Sequence, residues 1–142
     1  MPAGTIGYSA PGRCGIVGNP SDMYGGAVIS CTTRERAAVR LEEHDGLEIV
    51  IGDAIRAVRG ADDLRQDGGM FDAVLAAIEY FELGPAPLRI VVRSDIPVRA
   101  GLSGSPAVMT ALAACLLEWI AERGRGGEER CAKARRTLAS LH

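Results

Sequence analysis

Val98-Arg99-Ala100-Gly101-Leu102-Ser103-Gly104-Ser105-Pro106 joins two strongly apolar stretches of this chain. On its N-terminal side Leu88 to Val92 reads as a buried strand. On its C-terminal side Pro106 to about Glu122, apolar nearly all round through Leu117, reads as a helix buried against a sheet. Proline suits the first helical position, because the first N–H of a helix has no partner within it. Small residues between a strand and a helix let backbone N–H groups face outward. Together with the positive end of the helix dipole, roughly +0.5 of a charge, they make an anion site suited to phosphate. An ordinary turn with a serine cap is the plainer reading of the same residues. The segment matches neither G-x-x-x-x-G-K-[ST] nor G-x-G-x-x-G, so neither a Walker loop nor a dinucleotide fold is supported.

Working back along the chain, Phe71, Val74, Leu75, Ile78 and Phe81 recur at helical spacing, which predicts a helix from about Met70 to Leu83. Asp67 is its expected cap and Gly84-Pro85 its end. Thr5 to Ser9 and Arg13 to Val17 read as two strands, or as one broken at Ala10-Pro11-Gly12, and Val28 to Thr33 as another. Val39 and Leu41 alternate with charged residues, and Asp45-Gly46 precedes Leu47 to Ile51, which predicts a hairpin through a two-residue turn. Asp53 to Arg59 fits either a helical turn or a strand, and residues 61–69 read as polar loop. These elements predict an α+β fold, a mostly antiparallel sheet with helices on one face. Beyond Gly124-Arg125-Gly126-Gly127, Glu128 to Leu141 reads as a basic helix, so the expected organisation is one domain over 1–123 and a basic tail over 124–142.

The 142 residues are 47% hydrophobic, enough for one ordinary core and inconsistent with disorder. The formal charge is −2, with the acidic excess in the body and a basic excess after Ala121. An RNA-binding module would carry a dense basic stripe on its body, so nucleic acid is not an expected partner. Lys133 is the only lysine, which excludes any mechanism needing one in the body. Cys14, Cys31, Cys115 and Cys131 are far apart, and neither His44 nor His142 stands at metal-ligand spacing from them, so no zinc site is expected. The longest apolar run, Pro106 to Leu117, falls short of the roughly 20 residues of a membrane span. The expectation is a reduced, cytoplasmic protein with no membrane association.

A second polar constellation lies near the start, in Pro11-Gly12-Arg13-Cys14-Gly15-Ile16-Val17-Gly18-Asn19-Pro20-Ser21-Asp22. Asn19, Ser21 and Asp22 cluster three hydrogen-bonding side chains within four residues. Such a set suits a polyhydroxylated ligand, since Asp accepts from hydroxyls while Asn both donates and accepts. It equally suits a turn that satisfies its own backbone. The ordered pair of Pro-Gly-Arg-x-x-(I/L)-x-G-x-x-x-Asp and, some 80 residues on, Pro-x-x-x-Gly-Leu-x-x-Ser resembles the first two signature motifs of the GHMP small-molecule kinases. The Gly-Asn-Pro-Ser-Asp and Gly-Leu-Ser-Gly-Ser variants look most like glucuronokinase-type members, which phosphorylate the anomeric hydroxyl of a sugar acid.

The resemblance, which covers about residues 5–123, implies the ribosomal-protein-like N-terminal half of such a kinase. It implies ATP and Mg2+ as cofactors and ATP-dependent phosphorylation of a sugar or sugar acid. Gly101, Leu102, Ser103, Gly104 and Ser105 would then wrap the nucleotide phosphates, with Ser105 the nearest hydroxyl to the metal. Asn19, Ser21 and Asp22 would bind the substrate, and Arg13 would steady charge near the transferred phosphoryl group. Two departures stand out. Pro106 replaces the family's second serine, and the family's catalytic aspartate and third glycine-rich motif belong to a C-terminal half that this sequence does not reach. The rival expectations are therefore a catalytically inactive, truncated kinase domain and, further off, a nucleic-acid-binding module of the same fold. An unfinished half is also expected to self-associate or to bind its missing part.

Overall fold

The computed structural model describes residues 5–123. Five strands and two helices follow in the order β1 (Ile6–Val17), β2 (Ile29–Glu43), β3 (Leu47–Ile51), β4 (Ala54–Val58), α1 (Asp72–Tyr80), β5 (Leu88–Ser94) and α2 (Gly104–Glu122). Single 3-10 turns occur at Ser21–Tyr24 and Ala61–Leu64. The strands form one sheet in the order β1-β2-β5-β3-β4, antiparallel except where β3 runs parallel to β5. This is the expected α+β architecture, a mostly antiparallel sheet in which the β3–β5 pair is the one parallel neighbour.

The period-two pattern fixes which face is covered. Val39 and Leu41 on β2, Ile90 and Val92 on β5, and Leu47 and Ile49 on β3 all point into the core. The register aligns Leu41, Ile90 and Ile49 in one row across three strands, each almost fully buried. Helix α2 lies on this face against β1 and β2, burying Ala107, Ala111, Leu112, Cys115, Leu116 and Ile120. Its 19 residues are long and apolar enough by composition to cross a membrane, but the stripe just named makes it the helix over which the sheet closes. Helix α1 completes the layer with Val74, Leu75, Ala77 and Ile78.

Several local expectations are corrected. Residues 6–17 form one strand, kept continuous by register shifts between Pro11 and Arg13 and between Gly15 and Val17 where the sequence suggested a break. The turn at Asp45-Gly46 exists, with Gly46 at φ 105, but β2 and β3 do not form a hairpin. Strand β5 inserts between them, and the N–H of Leu88 donates to the Gly46 carbonyl at 3.0 Å. The two-residue hairpin is instead Gly52-Asp53, joining β3 to β4, with Gly52 at φ 59. Asp67 does not cap α1. Its carboxylate accepts from the N–H of Gly69, while Asp72 on the helix accepts from the N–H groups of Asp67 and Gly68. Helix α2 begins two residues earlier than expected, so Pro106 occupies its third position, still within the first turn where N–H groups lack helical partners. The helix expected over Glu128 to Leu141 lies outside the described residues.

Candidate functional site

Strand β5 carries the chain to Ser94, and the segment that follows reaches α2 through three residues of left-handed backbone. Arg99, Gly101 and Ser103 have φ of 59, 72 and 55. Left-handed backbone is rare for residues other than glycine and concentrates at functional loops. Here it lies in the run of small residues that leads into α2. None of the N–H groups of residues 101–105 donates to another described residue, and Ser103, at the cap position, makes no side-chain capping bond. The serine-cap reading of this turn is therefore not what the structure adopts. The loop ends at the N-terminus of a 19-residue helix with no acidic residue in its first turn, which leaves the positive end of the dipole uncompensated.

The two sequence constellations meet. The N–H of Arg13 donates to the Leu102 carbonyl at 2.9 Å, so β1 grips the loop by its backbone. Gly12 makes this approach feasible: a Cβ there would stand 2.6 Å from Thr33 Oγ1 and 2.9 Å from the Leu102 carbonyl oxygen. Beneath both lies the buried Ile96, whose Cδ1 is 3.4 Å from the Cβ position of Gly12 and whose Cγ2 is 3.5 Å from that of Gly104. Gly12, Thr33 and Ile96 thus shape the site, and the reading of the sequence assigned none of them a role. A glycine inside a strand pattern is the signal that marks Gly12, since it often denotes close backbone approach. Ile96 carries no such signal.

The remaining candidates sit on the loop that closes β1 to β2. Arg13 is exposed, and its guanidinium forms no ion pair with another described residue. Asn19 folds back over the strand, its Cβ 3.2 Å from the Cβ position of Gly15, which lies two residues or about 7 Å along from Arg13. Its amide makes no hydrogen bond to another described residue. Ser21 is turned inward: its hydroxyl donates to the Gly18 carbonyl and stands 3.3 Å from that of Ala27. Asp22 is exposed on the 3-10 turn and accepts from the N–H of Met23 at 3.1 Å. The backbone of Arg13 is thus in direct contact with the 101–105 loop, and Asn19 packs on Gly15, two residues further along β1. Ser21 and Asp22 make no hydrogen bond to that loop and satisfy local backbone.

Among the described residues no three His, Cys, Asp or Glu side chains cluster as metal ligands. The loop itself offers two hydroxyls, that of the half-buried Ser103 and that of the exposed Ser105.

Residues 71–137 match the GHMP kinases N terminal domain. No curated protein is matched by sequence. Among solved structures, a D-glycero-D-manno-heptose 1-phosphate kinase from Bacteroides thetaiotaomicron is 24% identical with a TM-score of 0.67, over 82% of this chain and 42% of that one. The Methanococcus jannaschii mevalonate kinase is 16% identical with a TM-score of 0.66, over 84% and 41%. Streptococcus pneumoniae phosphomevalonate kinase, solved with phosphomevalonate and AMPPNP, is 14% identical with a TM-score of 0.62, over 80% and 36%. The chain thus spans about two fifths of the length of the structures it matches. Its fold is that of the GHMP kinase N-terminal domain, and the family's own sequence pattern is met across the second half of the chain.

Proposed function

We propose that this chain forms the nucleotide-binding half of an ATP-dependent kinase acting on a small hydroxylated substrate, a sugar or sugar acid phosphorylated at its anomeric hydroxyl. The observation that carries the reading is the contact between Arg13 and Leu102. It joins the backbone of β1 at Arg13 to a loop of uncommitted N–H groups at a helix N-terminus. Phosphoryl transfer asks the protein for positioning and charge neutralisation more than for covalent chemistry, and this set supplies both.

The residues fit the group they would hold. Residues 101–105 would offer backbone donors to the ATP phosphates, and the exposed Arg13, whose backbone touches that loop, would bring its guanidinium fork to them. Mg2+ dehydrates reluctantly and is held largely by phosphates and water, so the Ser105 hydroxyl suffices as the contribution of this loop. Asn19, with its free amide, is the best placed of the substrate candidates. Asp22 and Ser21 complete the set once a ligand displaces their local bonds. Phosphomevalonate kinase with AMPPNP bound is among the relatives in fold, which supports a nucleotide ligand. We place the protein in the cytoplasm.

A second reading, an inactive kinase domain, is favoured by Pro106. At the third position of α2 it has neither an N–H nor a hydroxyl to offer phosphate or metal.

Calorimetric titration of Mg-ATP into the purified chain tests the proposal. Ser105→Glu places a carboxylate at an exposed first-turn position that the helix dipole favours, so the fold is retained while the phosphate site is repelled. Saturable binding by the parent chain, weakened at least about tenfold in this variant, is expected, a loss of about 1.4 kcal/mol. Equal affinities, or no binding by the parent chain, would overturn it.

A further inference from the structure

Cys14 on β1 and Cys31 on β2 are direct partners in the antiparallel register, and both are free thiols. Residues so opposed project to the same face, with Cα atoms about 4.5 or 5.5 Å apart according to pair type. Disulfides form with Cα atoms about 4.4–6.8 Å apart, so this register needs no change to be bridged. The surroundings are also permissive. Register shifts flank the pair on both sides, so the regular ladder that would hold the two strands at fixed spacing is interrupted above and below it. Cys31 is exposed and Cys14 half-buried beside it, so a reagent in solution meets the first thiol and the second lies within reach. The Cys14 thiol makes only a long bond to the carbonyl of its neighbour Gly15, at 3.7 Å, whereas Cys115 is buried on the inner side of α2 with its thiol donating to the Val39 carbonyl at 3.3 Å.

We propose that Cys14 and Cys31 are a reversible dithiol–disulfide pair, a redox modification site in the arm that carries Arg13 and Asn19. The oxidant is a low-molecular-weight disulfide such as oxidised glutathione. The Cys31 thiolate attacks one sulfur of that disulfide and expels a thiolate, leaving a mixed disulfide on Cys31. The Cys14 thiolate then attacks Cys31 Sγ, forms the Sγ–Sγ bond and expels the second small thiolate. Two protein thiols lose two protons and two electrons, and one small disulfide becomes two small thiols. The bond staples β1 to β2 one residue from Arg13, the residue whose N–H holds the 101–105 loop. A disulfide open to solvent is of the easily reduced kind, which makes the change a switch. The proposal does not rest on the kinase reading.

The test is exposure of the native full chain to oxidised glutathione, followed by acid quenching, unfolding, alkylation and peptide mass mapping. Alkylatable thiols are expected to fall from four to two, with the monomer lighter by two hydrogen atoms and Cys14 linked to Cys31. Dithiothreitol restores all four. Cys14→Ser and Cys31→Ser each abolish closure and Cys115→Ser does not. Because the linkage is read on the parent chain, a variant that fails to fold leaves the result standing. Separate alkylation of Cys14 and Cys31, stable glutathione adducts on both, or a bond joining two chains would overturn the proposal.

Discussion

Gly12 carries more of the site than any charged residue around it. The space that a Cβ would take is held by Thr33 Oγ1, which can rotate away, and by the Leu102 carbonyl oxygen, which is backbone and also accepts from Arg13. Gly12→Ala is therefore expected to force β1 and the 101–105 loop apart. Overpacking of this kind costs about 1–3 kcal/mol, read as a lower urea midpoint at unchanged slope, and nucleotide binding should weaken with it. A variant as stable as the parent and binding ATP equally well would show that the contact is incidental. At this scale the sequence was half legible. Pro11-Gly12-Arg13 and Gly101 to Ser105 announce themselves by composition, as does the polar cluster at Asn19, Ser21 and Asp22. That the Ser21 hydroxyl faces its own loop, or that Ile96 wedges between two glycines, depends on side-chain directions that a motif does not encode.

At the scale of elements, the local signals found the strands but not their neighbours. Asp45-Gly46 has the chemistry of a two-residue hairpin turn, and alternation on either side supports one, yet the Leu88 to Ser94 strand pairs with both flanks. A strand apolar at Leu88, Ile90, Val91 and Val92 gains most in the centre of the sheet, and that gain is non-local, outside what a turn dipeptide reports. Helix α2 was plainer because its apolar surface is continuous, and its packing on β2 yields a pH signature. Burial pushes the Cys115 thiol up to about 11, against a usual value of 9.0. The unfolded chain releases this proton first, so the contribution of the protonated thiol is fully present below pH 9 and is lost as pH rises toward 11. Urea midpoints measured across that window should decline for the parent chain and decline less for Cys115→Ala, whose own midpoint at neutral pH is lower. Parallel curves would contradict the assignment. Tyr8, whose hydroxyl donates to the Glu118 carboxylate and whose pKa is raised chiefly by that bond, steepens the decline above pH 10 in both proteins.

At the scale of the whole molecule, apolar exposure among the described residues gathers where β1 passes into β2. Ile55, Met70 and Val98 stand exposed singly elsewhere, whereas the far end of the β1–β2 arm presents Ile16, Val17, Met23, Tyr24 and Ile29, each more than 60% exposed. Single exposed apolar side chains are ordinary in soluble domains, whereas five on one projecting arm form a patch of the kind that marks an interaction surface. Burying such area is favourable by about 25 cal/mol per Å2, so a second surface that fits it gains several kcal/mol per few hundred Å2. The purified 142-residue chain is therefore expected to self-associate at micromolar concentrations and to bind a hydrophobic dye. The paired change Met23→Ser with Tyr24→Ser should lower both, because these two are the most exposed of the five and neither contributes to the core. Sedimentation velocity distinguishes the outcomes. A concentration-dependent sedimentation coefficient that the double variant abolishes locates the contact on this arm. A compact monomer at every concentration, with no dye bound, would mean that the arm is stable in water as it stands and that the small sheet-and-helix domain is complete without a partner.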